Sequence, residues 1–232
     1  MSQYIYETHL HTKGVSKCAV TEPEDYIPVY KKAGYAGIFV TDHFFNGNSA
    51  IDKTLPWEEM VNQYCSGYER AKKAAENFDF DVFFGIEYNF DGDEYLLYGL
   101  DKTWLLEHPN VMTMTHEELF QAVNDADGLM IQAHPYRMRE YIKQLNIHPE
   151  CVHGVEVYNS GNRDEENAKA FLLAKEKGLS MTSGSDMHHV INIEKYIEDK
   201  SFKPGGVIFS ERLTSMNDFI KKIKEKKNTV LM

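Results

Sequence analysis

The chain has 232 residues, of which 42% are hydrophobic and 26% charged, and its formal net charge is −11. This composition excludes a disordered or fibrous protein, and the negative charge argues against a nucleic-acid partner, which normally meets a basic surface. Three widely spaced cysteines, Cys18, Cys65 and Cys151, favour a reducing compartment over a disulfide framework. Residues 1–14 lack the pattern of a secretory signal, and no apolar run is long enough to cross a membrane. We therefore expect a cytoplasmic globular protein with no membrane partner and no nucleic-acid polymer as partner.

Short β-rich segments alternate with helix-like segments along the whole chain. Several predicted strands are almost unbroken apolar runs, such as residues 37–40, which is typical of strands buried on both faces. The predicted strands cover residues 5–9, 37–41, 82–86, 95–98, 129–133, 154–157, 179–182 and 207–209.

Helix signals separate these strands. Thr21 and Pro23 resemble the start of a helix, and Thr115 with Glu118 forms a capping-box pattern. Further helices are predicted over residues 57–78, 162–177 and 214–227. This alternation predicts an α/β fold, a single domain over residues 1–232 in which a parallel sheet closes into a barrel. An open doubly wound sheet is the alternative, although the chain has no glycine-rich phosphate loop.

Histidines and acidic residues recur where the predicted strands end. The carboxyl ends of parallel barrel strands meet at one rim, so these residues are expected to share one pocket. Alternate residues of a strand point to the same side, so that His9 and His11 can reach a common metal ion. Imidazole and carboxylate groups suit transition metals, and carboxylates can bridge two ions. The strand-end residues are His9, His11, Asp42, His43, Glu87, Asp101, His134, Glu156, Asp186 and His188.

Five short motifs contain most of these residues. They are His9-Leu10-His11-Thr12, Thr41-Asp42-His43, Gly85-Ile86-Glu87, Ala133-His134-Pro135 and Gly184-Ser185-Asp186-Met187-His188. In type and order they resemble the motifs of the PHP (polymerase and histidinol phosphatase) superfamily, and the resemblance covers residues 4 to about 189. It implies a distorted TIM-like (β/α)7 barrel that acts on phosphate esters with two or three divalent ions of zinc, manganese or iron.

The resemblance also implies which side chains hold the ions. The ligands of the first ion would be His9, His11, Glu87 and Asp186. Glu87 would bridge to a second ion, which His134 also binds. His43 and His188 resemble ligands of the third ion, and Asp42 would orient neighbouring groups without binding metal.

Two positions depart from the family pattern. Many members have a further histidine six residues after the second histidine of the first motif, where this chain has Lys17. Many also have a histidine after the fourth strand, where this chain has Asp101, which can still bind a metal. The ammonium of Lys17 either replaces the third cation and contacts a substrate oxygen, or points to solvent. In the second case the third site is weak, or is completed by Cys18 or water.

The predicted function is hydrolysis of a small phosphorylated metabolite or nucleotide. Metal ions lower the pKa of bound water and clamp the attacking and departing oxygens, so a metal-bound water is expected to attack phosphorus. Arginine matches phosphate oxygens with its planar fork, which makes Arg137 and Arg163 candidates for substrate binding, together with Lys17. The predicted catalytic residues are Glu87, His134, Asp186, His188 and Lys17.

Two other functions stay open. One is an amidohydrolase that cleaves C–N bonds, although such barrels have a histidine after the sixth strand, where this chain has Glu156. The other is a non-catalytic regulatory barrel that has lost an ion through Lys17. The sequence leaves the oligomeric state open.

Overall fold

The structure, a computed structural model, describes residues 3–140, 142 and 144–232. Nine strands in this part of the chain form one sheet. The strands are β1 Tyr4–Glu7, β2 Tyr35–Val40, β3 Asp81–Phe90, β4 Asp93–Tyr98, β5 Leu129–Gln132, β6 Gly154–Asn159, β7 Ser180–Gly184, β8 Gly206–Phe209 and β9 Thr229–Leu231. They are hydrogen-bonded in the order β7-β6-β5-β4-β3-β2-β1-β8-β9.

The sheet curves until it nearly closes. The segment after β7 returns to the segment after β1, where Leu10 and Met187 form a parallel bridge. The amide of Met187 donates to the carbonyl of His9 at 3.1 Å, and the amide of His11 donates to the carbonyl of Met187 at 2.8 Å. The expected distorted barrel is therefore confirmed over the open doubly wound alternative. The extent of the domain, residues 1–232, stays a prediction.

The expectation of a wholly parallel sheet is wrong at two strands. β4 runs antiparallel to β3 and β5, and β8 runs antiparallel to β1. Only Asp91 and Gly92 separate β3 from β4, and both have positive φ, 49° and 121°. A connection of two residues makes a hairpin, because a parallel crossover needs about a dozen residues or more. The carboxyl end of β4 therefore lies at the rim opposite to the carboxyl ends of its parallel neighbours.

The helices pack their apolar faces on the sheet. They are α1 Tyr26–Lys32, α2 Trp57–Ala75, α3 Lys102–Glu107, α4 His116–Asp125, α5 Asp164–Lys177, α6 Ile191–Glu198 and α7 Met216–Lys224. Ile27 of α1 and Ala71 of α2, for example, join a buried cluster with Ile38 of β2. α4 begins with the predicted capping box, in which Thr115 and Glu118 exchange hydrogen bonds. None of the described helices is long and apolar enough to cross a membrane.

Aromatic side chains fill one end of the barrel. The ring of Phe219 from α7 lies 4.3 Å from the ring of Phe39 and 5.1 Å from the ring of Tyr98. Tyr98 is the last residue of the antiparallel β4, so this packing closes the end away from the carboxyl ends of the parallel strands. The opposite rim is left for polar side chains.

Candidate metal centre

The carboxyl ends of the parallel strands gather histidines and acids at the polar rim. Most of these side chains are buried: the exposed fraction is 0% for His9 and His11 and 1% for Glu87. Every metal ligand predicted from the sequence except Asp101 lies in this centre. The gathered residues are His9, His11, His43, Glu87, His134, Asp186 and His188.

Four buried atoms in the centre have no hydrogen-bond partner among the described residues. They are His9 Nε2, His11 Nε2, His43 Nδ1 and Glu87 Oε2. His43 Nδ1 lies 2.6 Å and His11 Nε2 3.3 Å from Glu87 Oε2, and His9 Nε2 lies 3.0 Å from Glu87 Oε1. Leaving a buried polar atom unpaired costs about 1–3 kcal/mol. Coordinated cations would supply the missing partners, so these residues fit a metal centre.

In both histidines of the first motif, the Nδ1 atom contacts a neighbouring polar side chain. His9 Nδ1 lies 3.0 Å from Glu156 Oε1, and His11 Nδ1 lies 3.1 Å from Ser16 Oγ. The hydroxyl of Ser16 in turn donates to Asp42 Oδ1 at 2.6 Å. Partners of this kind keep the proton on Nδ1 and direct the lone pair of Nε2 toward a metal. Asp42 thus has the orienting position that the resemblance implied.

The backbone at this rim is specialised as well. His134 and Asp186, which follow β5 and β7, have positive φ values of 28° and 54°. Such conformations cost about 1–3 kcal/mol each in residues other than glycine, and they occur in turns and at functional sites. At Gly184 a Cβ atom would lie 2.5 Å from the Cβ of His9 and 2.7 Å from Glu156 Oε1. Only glycine therefore lets β7 approach this histidine and its carboxylate partner.

The ligand atoms form four overlapping groups of three in this centre. Within each group the atoms lie within 4.8 Å of one another. Glu87, like His9, His11 and His43, belongs to two of the groups. The groups are His9–His11–Asp186, His9–Glu87–His134, His43–Glu87–Glu94 and His11–His43–His188.

Glu94, which was not among the predicted ligands, lies in the centre, whereas the predicted ligand Asp101 lies outside it. Glu94 Oε2 lies 3.4 Å from His134 Nε2, and Glu94 Oε1 lies 3.8 Å from His43 Nδ1. Asp101 is exposed and caps α3, accepting a hydrogen bond from the amide of Trp104 at 2.8 Å. The reversed direction of β4 brings its first residues to the centre and carries the residue after it away. The Asp-Gly pair between two apolar segments, a typical hairpin signal, could have revealed this reversal.

Neighbouring charges set the protonation of the centre. Burial alone would raise the pKa of Glu87, but His43 and His9 outweigh it and hold the pKa well below its usual range. Burial lowers the pKa of His11 well below the ordinary histidine value, and the nearby His43 and His188 lower it further. Burial would lower the pKa of His9 and His43, but Glu87 and, for His9, Glu156 outweigh it and raise both well above the ordinary histidine value. A cation that binds these imidazoles therefore has to replace their protons.

A pocket of about 590 Å³ opens over the centre, lined by His43, Glu94 and Asp186 among others. Arg137 also lines it, and its guanidinium donates to Asp186 Oδ2 at 2.6 Å. Two further donations, to Asn159 Oδ1 at 2.7 Å and Asn162 Oδ1 at 2.8 Å, fix the plane of the guanidinium. The pocket therefore has potential metal ligands at its base and an arginine of fixed orientation in its wall.

Lys17 and Arg163 are exposed and do not belong to the described lining of this pocket. The amide of Lys17 donates to the carbonyl of Asn48 at 2.9 Å. The next residue, Cys18, does line the pocket. Burial would raise the pKa of the Cys18 thiol, but hydrogen bonds from His188 and His43 outweigh it and lower the pKa to about 6. The structure thus brings Cys18, and not Lys17, to the ligands implied for the third ion.

Comparison with known proteins supports the fold. The sequence matches no known family model and no curated protein. Among solved structures, the chain is similar to a two-domain protein from Bacteroides vulgatus that contains a predicted PHP-like metal-dependent phosphoesterase. The TM-score is 0.73 and the identity 15%, over 99% of this chain and 64% of that protein. The fold implied by the resemblance to PHP proteins is therefore confirmed.

Two other similar structures are those of enzymes from different reaction classes. An amidohydrolase from Chromobacterium violaceum has a TM-score of 0.55 and 14% identity, over 98% of each chain. The lesion-specific endonuclease EndoQ from Pyrococcus furiosus has a TM-score of 0.58 and 12% identity, over 100% of this chain and 58% of that one. At these identities the likeness establishes the fold, and the reaction has to be argued from the centre.

Proposed function

We propose that the protein is a metal-dependent phosphoesterase that hydrolyses a small phosphorylated metabolite or nucleotide. The observation that carries this proposal is the convergence of four unpartnered buried ligand atoms beneath a pocket whose wall holds Arg137. A phosphate ester needs cations at its phosphoryl oxygens and a nucleophile at neutral pH. The centre offers ligands for cations, and the arginine offers a complementary anion-binding group.

Two or three divalent ions of zinc, manganese or iron would occupy the centre. When bound, they would lower the pKa of water and neutralise phosphoryl oxygens. The carboxylate of Glu87 can be shared between two ions. The ligands that we assign to these ions are His9, His11, His43, Glu87, Glu94, His134, Asp186 and His188.

Arg137 is the substrate-binding residue that the geometry favours. A guanidinium has five N–H donors, and three of them are used in the contacts with Asp186, Asn159 and Asn162. Since the group lines the pocket, the other two donors are assigned to oxygens of the phosphate. Lys17 and Arg163 would have to reach the substrate from exposed positions.

His188 is proposed to protonate the departing oxygen when it is not bound to metal. Its side chain lies in the pocket wall and is 30% exposed, so substrate can reach it. Burial lowers the pKa of this imidazole, but a hydrogen bond with Cys18 and the charge of Asp186 outweigh it and raise the pKa. A histidine that is partly protonated near neutral pH can act as a general acid.

The pocket favours a small substrate. Its volume lies within the range of about 300–1,000 Å³ that is usual for small-molecule sites. The net charge of −11 disfavours a nucleic-acid polymer, although the fold is shared with an endonuclease. The location that we propose is the cytoplasm, and the three free cysteines are compatible with its reducing conditions.

The experiment that tests the function is a substrate panel on metal-loaded protein. Samples reconstituted with zinc, manganese or iron are given phosphomonoesters, phosphodiesters, an oligodeoxynucleotide and cyclic amides, with elemental analysis of each sample. Phosphate release from a monoester or cleavage of a small diester supports the proposal. Hydrolysis of the amides alone would favour an amidohydrolase, as in the similar protein from C. violaceum. A fully loaded sample that turns over no ester, aryl phosphates included, would favour a regulatory module.

A further inference from the structure

A second cluster of potential ligands lies outside the centre, around Asp93 at the start of β4. Successive side chains of a strand alternate between its two faces, so Asp93 and the centre's Glu94 point in opposite directions. Asp93 meets His116, in the first turn of α4, and His148, just before the 3-10 helix Pro149–Cys151. We infer that Asp93, His116 and His148 form a separate binding site for one divalent transition-metal ion.

The distances within the cluster allow a shared ion. One ligand atom from each of Asp93, His116 and His148 lies within 4.8 Å of the other two. His116 Nε2 is 2.8 Å from Asp93 Oδ2. The exposed fraction of the side chain is 4% for Asp93, 22% for His116 and 33% for His148, so an ion can enter from the imidazole side. A buried acid with two accessible imidazoles is a donor set that zinc accepts.

The imidazole pair repeats an arrangement found in the centre. The rings of His116 and His148 have centroids 4.1 Å apart and an interplanar angle of 31°. In the centre, the rings of His11 and His43 have centroids 4.3 Å apart and an angle of 32°. One cation between the two rings and the carboxylate would accept a lone pair from each of them.

Neighbouring groups hold the carboxylate and one ring in place. Tyr95 Oη donates to Asp93 Oδ2 at 2.8 Å, and Asn146 Nδ2 donates to Asp93 Oδ1 at 3.2 Å. The ring of His116 stacks on that of Phe90 at 3.8 Å. Supporting contacts of this kind orient metal ligands. His116 pairs with Asp93, and His148 Nδ1 lies 3.3 Å from Glu150 Oε1, so two separate ion pairs are the alternative to a metal, and zinc binding separates the two.

The site joins three parts of the chain that are far apart in sequence. Asp93 belongs to β4, His116 to α4, and His148 to the segment after β5. That segment also contributes Arg137 and Asn146 to a cleft that contains Asp93, Glu94 and His134. A bound ion would therefore fasten one wall of this cleft to the sheet, a structural effect that does not depend on the proposed reaction.

The test counts zinc equivalents. Metal-free full-length protein, prepared with a chelator, is loaded with zinc alone, passed through a desalting column and analysed for zinc per chain. We expect His148→Ala to bind one equivalent less than the wild type. His108→Ala is the matched control, because His108 lies outside both sites and stacks on Trp104. It should bind as much zinc as the wild type.

A second variant and a second readout keep the result decisive. His116→Gln should lose the same single equivalent, and it replaces His148→Ala if circular dichroism shows that the latter is misfolded. Zinc should slow amide hydrogen exchange at Asn146 and His148 in the wild type, and not in these variants. A folded His148→Ala or His116→Gln protein that binds as much zinc as His108→Ala would overturn the site.

The zinc equivalent bound by Asp93, His116 and His148 can be counted separately from the zinc bound at the centre. Glu87→Gln should lower zinc binding at the centre and leave this equivalent in place, so that Glu87→Gln combined with His148→Ala loses one more than Glu87→Gln alone. Loss of phosphoesterase activity would leave this count unchanged, and loss of the count would leave the proposed function untouched.

Discussion

The histidines of the centre and His153 outside it differ in what their ring nitrogens contact. His153 Nδ1 accepts a hydrogen bond from the amide of Met130 at 3.0 Å, and Nε2 donates to Asn124 Oδ1 at 2.9 Å. His9 and His11 each have one nitrogen held by a neighbour and the other directed, unpartnered, at the centre. The difference teaches that a half-buried histidine with both nitrogens hydrogen-bonded is part of the packing, whereas a buried histidine with one free nitrogen can bind a ligand.

The largest expected effect tests whether the unpartnered nitrogens serve metal binding. Glu87→Gln removes the charge that faces His9, His11 and His43, while the side chain keeps its size. We expect kcat/KM and metal content per chain to fall, kcat/KM by at least about 100-fold, because even a residue that only supports a ligand is worth about 10–100-fold. His153→Gln is the control, and this variant should keep the metal content of the wild type. Full metal occupancy and activity in Glu87→Gln would show that the unpartnered nitrogens of the centre do not depend on Glu87 for metal binding.

The next effect separates the two ends of β4. Glu94→Gln should lower metal affinity or kcat/KM by about 10–100-fold, because Glu94 contacts His134 and His43 in the centre. Asp101→Asn should change neither, since Asp101 is exposed and asparagine caps a helix about as well as aspartate. Metal analysis and kinetics on the two variants give the comparison directly. The opposite ranking would restore Asp101 as a ligand.

Glu94 and Asp101 show which parts of the centre can be predicted from the sequence. Motifs on parallel strands were predictable, because the position of a residue after its strand fixes the rim at which it lies. His9, His134 and Asp186 came together for this reason. Glu94 was missed because its position depends on the direction of β4, and the two-residue turn at Asp91 decides that direction.

Other features of the centre have no local signal in the sequence. The positive φ of Asp186 occurs where the chain leaves β7 and Met187 pairs with Leu10 after β1. The approach of Cys18 to His188 depends on how the loop after β1 folds over the rim. Such features follow from three-dimensional packing, which composition and spacing do not encode residue by residue.

A smaller effect tests the packed histidine through pH. Burial and the nearby Lys224 lower the pKa of His153 to about 4, from about 6.5 in the unfolded chain. As pH falls from 6.5 to 4, His153 becomes protonated in the unfolded chain but stays neutral in the folded protein, so the free energy of unfolding falls. After allowance for partial exposure, the loss is about 1–2 kcal/mol. Urea unfolding of metal-free protein at several pH values should show this decrease, and His153→Gln should lack it. Parallel curves for the two proteins would mean that His153 is protonated freely when folded.

The smallest expected effect concerns Lys17. Because its side chain is exposed, Lys17→Ala should lower kcat/KM less than about fivefold and leave metal content unchanged, since an exposed charge contributes about 0–1 kcal/mol. Lys13→Ala is the matched control, because Lys13 is exposed in the same loop and pairs with Glu22 at 2.7 Å. A fall of 100-fold confined to Lys17→Ala would mean that the ammonium turns into the pocket and replaces the third cation. If Lys17→His instead gains a metal equivalent, the third metal position lacks only one ligand, and the unpartnered Nδ1 of His43 is available to bind that ion.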